Sequence, residues 1–335
     1  MSLISFFRYA YALFRCLTPR RCLNLLRLTF QYFIAKINKQ GRLSAMPFSI
    51  SVEPTNCCNL SCPECITGSG RLKRKKGALS FTDFSRLMDE VSPDLIHLFL
   101  YFQGEPMLNA DFVKMVRYAK SKGLFVATST NGHFLTDRMC EELVHSGIDH
   151  VIISLDGVQS SSYSVYRRQG DFERVKNGIS RLVETRKRSS RYPLIELQFV
   201  VFRHNESEID DFKSLAKSLG VDFATLKSAQ IYNLDSPSSE ILPPLNEKYS
   251  RYEKVGSHYR LKTKKHKSCW RQWSACIVTC DGLVSPCCYD KEAEMAYGNA
   301  FASGFKSCWF SGNALALRKQ LMLGKRYAIC KDCPE

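Results

Sequence analysis

The chain has 335 residues, 44% hydrophobic and 24% charged, a balance that excludes an intrinsically disordered protein and allows roughly two domains with sizeable cores. It carries a formal net charge of +16 and 15 cysteines, with no apolar run of about 18 residues and no secretory leader pattern, which argues against a membrane span and against a disulfide-built secreted fold. A cytoplasmic, reducing location is expected, where clustered cysteines serve as metal ligands or catalytic thiols.

The positive charge is unevenly spread. Residues 1–52 contain no Asp or Glu but eight basic residues: Arg8, Arg15, Arg20, Arg21, Arg27, Lys36, Lys39 and Arg42. Within this arm, LNLLRLTFQYFIAKI places Leu23, Leu26, Phe30, Phe33 and Ile34 at helical spacing, with Arg27 and Lys36 able to snorkel, and predicts one or two amphipathic helices. Two readings stand: an arm packed on the main domain, or a peripheral contact with an anionic membrane surface at the inner face of the membrane. Neither spans a bilayer.

From residue 47 the pattern becomes regular. PFSISVE reads as a strand, FTDFSRLMDEV as a helix, LIHLFLYF as a strand, NADFVKMVRYAKSKG as a helix and LFVATST as a strand. TDRMCEELVHSG then reads as a helix, HVIISLDG as a strand, residues 172–188 as a long helix, LIELQFVVF as a strand, ESEIDDFKSLAKSLG as a helix and VDFATLKS as a strand. Near-continuous apolar strands alternating with helices predict a buried parallel sheet with right-handed crossovers, an α/β barrel-like arrangement. In such a sheet chemistry gathers at the carboxyl ends of the strands. VEPTNCCNLSCPEC follows the first strand, QGEP the second, STNG the third and SLDG the fourth, so four polar strand ends share one rim.

Cys58, Cys62 and Cys65 are spaced C-x3-C-x2-C with no local fourth ligand. Three thiolates on a [4Fe-4S] cluster leave one iron open, and an open site marks reaction. Structural zinc wants four ligands, and no histidine lies near this loop, which disfavours zinc; Cys57 reads as a packed neighbour.

On these residues the chain resembles the radical SAM superfamily over about residues 47–230. The resemblance implies an α/β fold, a partial (β/α)6 TIM-like barrel, with Cys58, Cys62 and Cys65 holding a [4Fe-4S] cluster whose open iron S-adenosylmethionine chelates. QGEP looks like the family's G-G-E-P, so Gly104 and Glu105 would hold the methionine amino group. Ser154 and Asp156 of SLDG stand where the family contacts ribose or carboxylate, and Arg167 of VYRRQG is the implied carboxylate partner. Two positions depart from the family: Glu64 replaces a common aromatic before the third cysteine, and Gln103 replaces the first glycine of G-G-E-P.

The C-terminal third holds a second set, Cys269, Cys287, Cys330 and Cys333, with Gly282 in CDGLVSPCC. This resembles the twitch domain, the shorter relative of the SPASM domain, and implies a small auxiliary domain with a second [4Fe-4S] cluster. Four thiolates would saturate that cluster, which suits electron relay; a four-cysteine zinc knuckle is the competing reading. Cys288 can substitute for Cys287, while Cys276, Cys280 and Cys308 read as packed thiols.

The expected organisation is a basic helical arm at 1–46, a core at 47–230, a Pro- and Ser-containing linker at 231–265 and the auxiliary domain at 266–335. Tyr249 and Tyr252 of the linker are candidate substrate walls. RLKRKKG, residues 71–77, is either a receiver of acidic substrate or a solvated loop. His133 is either a general base or a satisfied structural histidine, so no catalytic acid or base is assigned.

The leading functional reading is an oxygen-sensitive radical SAM enzyme that abstracts hydrogen through a 5'-deoxyadenosyl radical and oxidises or rearranges a sugar, cyclitol or similar metabolite. A peptide or protein maturase is second and a non-catalytic metal-binding protein third. An electron donor of flavodoxin or ferredoxin type is an implied partner; nucleic acid is not expected, since charge without a stacking platform is a poor guide.

Overall fold

The computed structural model describes residues 3–189, 192–232, 241–256, 258–262, 268–330 and 333. Two helices, α1 (Leu3–Phe14) and α2 (Pro19–Asn38), open the chain. The break between them is written locally. Thr18 accepts from the Arg21 backbone N–H at 3.3 Å, and Pro19 occupies the first turn, where a missing N–H costs nothing.

The regular pattern then unfolds nearly as predicted: β1 (Ser49–Val52), α3 (Phe81–Val91), β2 (His97–Phe99), α4 (Phe112–Ser121), β3 (Phe125–Thr130), α5 (Asp137–Ser146) and β4 (His150–Ser154). A short helix that the sequence pattern did not announce, α6 (Ser160–Tyr166), precedes α7 (Phe172–Lys187), β5 (Leu194–Val201), α8 (Ile209–Leu219) and β6 (Phe223–Ser228). Boundaries follow side-chain chemistry. Ser80, Thr136 and Asp171 cap α3, α5 and α7, and Gly147 and Gly220 end α5 and α8 in the left-handed conformation.

All six strands pair parallel in sequence order. Their apolar residues are fully buried, among them Ile50, Val52, Leu98, Val126, Ile153 and Leu197. Each such side chain contributes about 1.5–3 kcal/mol, so packing on both faces fixes the parallel arrangement.

Residues 231–265, expected as a linker, contain an antiparallel pair, β7 (Tyr252–Val255) and β8 (His258–Leu261). The stretches 233–240 and 263–267 lie outside the described residues. Tyr252 is buried, its hydroxyl accepting from the Ile231 N–H at 2.8 Å. With Ile231 and Ile241 it packs against Leu60, Cys62, Tyr166 and Phe202 in a small second core. This segment is therefore a cover seated on the cysteine loop, and Tyr252 is a core residue rather than a substrate wall; Tyr249 is partly buried against the main core.

After α9 (Arg271–Ser274), strand β9 (Ala275–Val278) pairs parallel with the outer edge of β1, and β10 (Val284–Ser285) folds back antiparallel. The order is β10-β9-β1-β2-β3-β4-β5-β6, so the C-terminal segment continues the barrel's own sheet and covers an edge that β1 would otherwise present. Helices α10 (Ala300–Ser303), α11 (Phe305–Trp309) and α12 (Gly312–Met322) complete this segment.

The arm closes the opposite mouth. Tyr9 of α1 stands edge-on to Phe125 at 5.2 Å, His150 at 5.8 Å and Phe223 at 6.5 Å, the first residues of β3, β4 and β6. One end of the partial barrel is thus stoppered by α1, and the other carries the strand-end loops.

Candidate metal centre and cofactor site

The loop after β1 gathers the first cysteine set. Cys62 is buried, and Cys58 and Cys65 are half-buried beside it. Backbone N–H groups of Leu60 and Gly68 donate to the sulfurs of Cys58 and Cys65, each at 3.5 Å, and Asn131 Nδ2 stands 3.9 Å from the Cys58 sulfur. Burial raises the Cys58 thiol and pushes Cys62 up to about 11, with the Arg167 guanidinium pulling the other way and the neighbouring thiols adding to the rise. Such thiols ionise readily only when a metal displaces the proton.

Amide donors aimed at sulfur and a guanidinium nearby are the groups that offset the negative charge of a thiolate-ligated iron cluster, and in this respect the residues fit a [4Fe-4S] centre. A single zinc ion would hold its thiolates about 3.8 Å apart. Among the described residues no group of three or more His, Cys, Asp or Glu side chains is gathered closely enough to hold one ion.

The later strand ends brace this loop. Gly104 has φ +73°, and a Cβ there would lie 2.4 Å from the Thr55 carbonyl oxygen and 2.6 Å from that of Cys57, so only glycine lets the second strand end approach the cysteine loop. The Glu105 N–H donates to the Cys57 carbonyl at 2.8 Å. Gln103, in place of the family's glycine, accepts from the Thr67 hydroxyl at 3.1 Å and ties the same two loops together.

Glu105 is fully buried. Its Oε1 accepts from the Thr130 hydroxyl at 2.8 Å and the Met107 N–H at 3.2 Å, and its Oε2 from the Asn131 N–H at 2.7 Å. Burial raises its pKa and those three donors oppose the rise. Each carboxylate oxygen takes about two donors, so Oε2 retains acceptor capacity.

Asp156 is also fully buried. Its Oδ2 accepts from Arg167 Nε at 2.6 Å and its Oδ1 from the Val200 N–H at 2.6 Å. Its carboxylate is thereby committed to orienting Arg167, which leaves Arg167 as the charged group beside Cys62. Ser154 ends β4, in register with Gln198, half-buried on the same rim. His133 resolves to a structural role: Nε2 accepts from the Asp171 N–H at 2.8 Å, which caps α7, and Nδ1 faces the Asn131 carbonyl at 3.2 Å. Burial lowers its pKa, so the ring is neutral and already engaged.

Glu53 and Asn131, which the sequence reading passed over, organise the site together with Glu64. Glu53 follows β1, fully buried, and meets Arg74 at 2.7 and 2.8 Å while accepting from the Cys280 N–H at 3.0 Å. The basic run 71–77 is thus neither a plain solvated loop nor a free receiver, since Arg74 is an interior tie, while Arg71, Lys73, Lys75 and Lys76 remain exposed. Glu64 accepts from the Tyr232 N–H at 2.8 Å and so fastens the chain after β6 onto the loop. Asn131, besides facing Cys58, donates to Asn59 Oδ1 at 2.8 Å. The available signal was position, since a buried polar residue directly after a strand has to find a partner.

The second set converges as well. Cys269, Cys287, Cys330 and Cys333 all line one cavity of about 560 Å³, walled in part by Tyr32 and Lys36 of α2. Burial raises the Cys269 thiol against the N–H groups of Gln272 and Arg271. The Cys287 thiol is raised by its hydrogen bond with the Cys288 thiol and then by burial. The Cys288 sulfur also lies 3.1 Å from Arg271 Nη1, and of the two it is Cys287 that lines the cavity. Four thiols around one space fit a fully ligated cluster. Cys276, Cys280 and Cys308 are buried as packed thiols.

Against known families, residues 52–216 match the radical SAM superfamily and residues 269–334 match SPASM, an iron-sulfur cluster-binding domain. The chain belongs to the radical SAM superfamily. It is a member with a SPASM-like C-terminal domain, and these domains imply a [4Fe-4S] cluster with S-adenosylmethionine and auxiliary iron-sulfur ligation.

Similar proteins include the mycofactocin maturase MftC of Mycobacterium ulcerans (strain Agy99), 30% identical over 185 residues, which are 55% of this chain and 47% of the relative. The MftC of Mycobacterium tuberculosis (strain ATCC 25618 / H37Rv) is 29% identical, over 55% of this chain and 45% of its own. The chain thus spans about half the length of these curated relatives. Among solved structures, SuiB of Streptococcus suis bound to S-adenosylmethionine has a TM-score of 0.65 at 14% identity, covering 86% of this chain and 71% of that one. BtrN in complex with AdoMet and 2-DOIA has a TM-score of 0.52 at 18% identity, covering 88% and 95%. At these identities the likeness establishes the fold.

Proposed function

We propose that this chain is a radical SAM enzyme in which Cys58, Cys62 and Cys65 hold a [4Fe-4S] cluster and S-adenosylmethionine binds at its open iron. The observation that carries this reading is the convergence of the three thiols, Glu105 and Arg167 on one strand-end rim beneath the cover built by Ile231, Ile241 and Tyr252.

Bound together, cluster and S-adenosylmethionine supply one-electron cleavage of a carbon–sulfur bond and abstraction of a hydrogen atom from substrate. The chain's part is placement. Arg167, locked by Asp156, presents a fixed cation for the methionine carboxylate. Glu105, with Gly104 admitting close approach of the loops, would offer the remaining lone pair of Oε2 to the ammonium, and Ser154 would serve the ribose. The cover keeps water from the radical site. Cys269, Cys287, Cys330 and Cys333 would hold one auxiliary [4Fe-4S] cluster, which would supply an electron relay fed by a flavodoxin- or ferredoxin-type donor.

For substrate, the reading favoured is a sugar, cyclitol or similar small metabolite. The cavity lined by four cysteines supports it, as does likeness over nearly the whole of BtrN, a protein solved with 2-DOIA. The second reading, peptide maturation, is favoured by the similarity to a maturase over 185 residues.

The test is anaerobic reconstitution with iron and sulfide, followed by reductant and S-adenosylmethionine. About eight irons per chain, four per cubane, and 5'-deoxyadenosine from the wild type but not from a Cys58→Ala, Cys62→Ala, Cys65→Ala variant are expected. Zinc in place of iron, or no cleavage with any reductant, would overturn the proposal. Deuterium transferred to 5'-deoxyadenosine from labelled cyclitols favours the first substrate reading, and transfer from labelled peptides the second.

A further inference from the structure

The arm is amphipathic in an inverted sense. The face of α2 turned to the core is partly polar: Arg21 is buried and donates to the carbonyls of Cys16, Ser92, Lys122 and Gly123, and Asn24 donates to Met46 and accepts from its N–H. The apolar residues that the periodicity singled out, Ile34 among them, are exposed, and Ile37 joins them. Leu23 is 47% exposed, Leu26 68%, Phe30 67%, Phe33 57% and Ile37 78%, at intervals of three and four residues that make one continuous stripe. Helix α1 repeats the arrangement with Ile4, Phe7, Tyr11 and Phe14 outside, while Tyr9 and Leu13 pack inward.

This face is held rigidly. Tyr32, on the inner side of α2, stands 4.9 Å from Trp270 and 5.4 Å from Trp273, and its hydroxyl pairs with Ser268 at 2.9 Å. The stripe therefore cannot bury itself by rolling the helix over without tearing out Arg21, Asn24 and Tyr32. An apolar stripe this long, fixed outward, requires an occupant.

Charge identifies the occupant. Residues 1–52 carry eight basic residues and no acid, and Arg15, Arg20, Arg27, Lys36, Lys39 and Arg42 are exposed. Arg20 is neutralised by Asp94 at 2.8 Å; no acidic residue of the arm itself neutralises the others. A second copy of the arm would bring like charges together, which opposes self-association through this face. Beside the stripe, Leu23, Arg20, Arg27 and Lys306 line a groove of about 420 Å³ that also contains Asp94, and Phe310 extends the apolar surface onto the C-terminal segment. Among the described residues no helix is long and apolar enough to cross a bilayer, so the arm would lie in the interface rather than span it.

We propose that α1 and α2 form a docking surface for an anionic lipid bilayer, their outward aromatic and aliphatic side chains entering the headgroup boundary and the exposed Arg and Lys residues meeting lipid phosphates. The inference is independent of cofactor loading and of the reaction assigned above.

Co-sedimentation of the full chain with vesicles tests it. Three proteins are compared: wild type, the stripe variant Leu26→Gln, Phe30→Gln, Phe33→Gln, and the charge variant Arg15→Gln, Arg27→Gln, Lys39→Gln, Arg42→Gln. Vesicles are phosphatidylcholine alone or mixed with phosphatidylglycerol, at low and high salt, with circular dichroism and thermal melting checking each fold. Wild type is expected to pellet with the anionic vesicles, with binding weakened by salt and by at least about tenfold in either variant. If the stripe variant melts early, the charge variant, which alters only exposed side chains, decides. No binding to anionic vesicles, equal binding to neutral ones, or full binding by the folded variants would overturn the proposal. So would a concentration-dependent dimer that the stripe substitutions dissolve, since the face would then belong to a second copy.

Discussion

Two glycines with the same backbone conformation separate strain from contact. Gly104 and Gly70 have φ +73° and +74°, but an added Cβ at Gly104 meets the Thr55 and Cys57 carbonyls whereas at Gly70 it meets nothing within 4 Å. Gly70→Ala is expected to cost only the left-handed penalty, about 1 kcal/mol. Gly104→Ala pays that and must also push the cysteine loop aside, about 2–4 kcal/mol in all, with reduced iron incorporation on reconstitution. Equal melting temperatures and equal iron content in the two variants would refute the assigned close approach. The same scale explains His133: as a strand-end histidine it read as structural or, less readily, as a base, and the Asp171 N–H at Nε2 gives it a structural role.

At the scale of elements, the Glu53–Arg74 pair joins three pieces: the end of β1, the basic run and the turn after β9. Both side chains are almost wholly buried, so deleting one leaves the other charge without compensation. Arg74→Ala should therefore destabilise the protein by about 3–5 kcal/mol, and the double change Arg74→Met, Glu53→Leu by markedly less, measured by denaturant unfolding. A loss within about 0.5 kcal/mol for the single change, typical of a surface pair, would count against the tie. Residues 71–77 were read as one run of like charge. A one-dimensional pattern does not reveal that one of the five basic side chains turns inward.

For the whole molecule, the stoppered mouth of the barrel carries a pH response. Glu196 sits beneath α1, 3.0 Å from His150 Nε2 and bonded by Gln198 at 2.9 Å. Burial disfavours its charge, but the polar contacts of His150, Gln198 and Thr225 outweigh that and lower it to about 2. A lowered carboxylate stabilises the fold fully above its unfolded value of about 4.3 and loses that contribution as the pH falls toward 2. Wild type should thus melt progressively earlier from about pH 4.5 downward, and Glu196→Gln should show a shallower slope there. Parallel pH profiles for the two proteins would exclude Glu196 as the source.

The sequence by itself determined the alternating βα core, most helix boundaries, the cysteine triad with its strand-end companions, and the second cysteine set. These signals are local: hydrophobic period, capping residues and ligand spacing lie within a few residues of one another. Tertiary structure alone decided that β9 completes the edge of β1, that the supposed linker covers the cysteine loop, that Asp156 serves Arg167, and which face of α2 looks outward. Each of these depends on partners far apart in the chain, as Arg21 does with Ser92 and Gly123. Periodicity establishes that a helix has two faces. Which face is buried depends on what the rest of the fold offers each one, and here the fold offers carbonyl groups to Arg21 and leaves the apolar stripe outside.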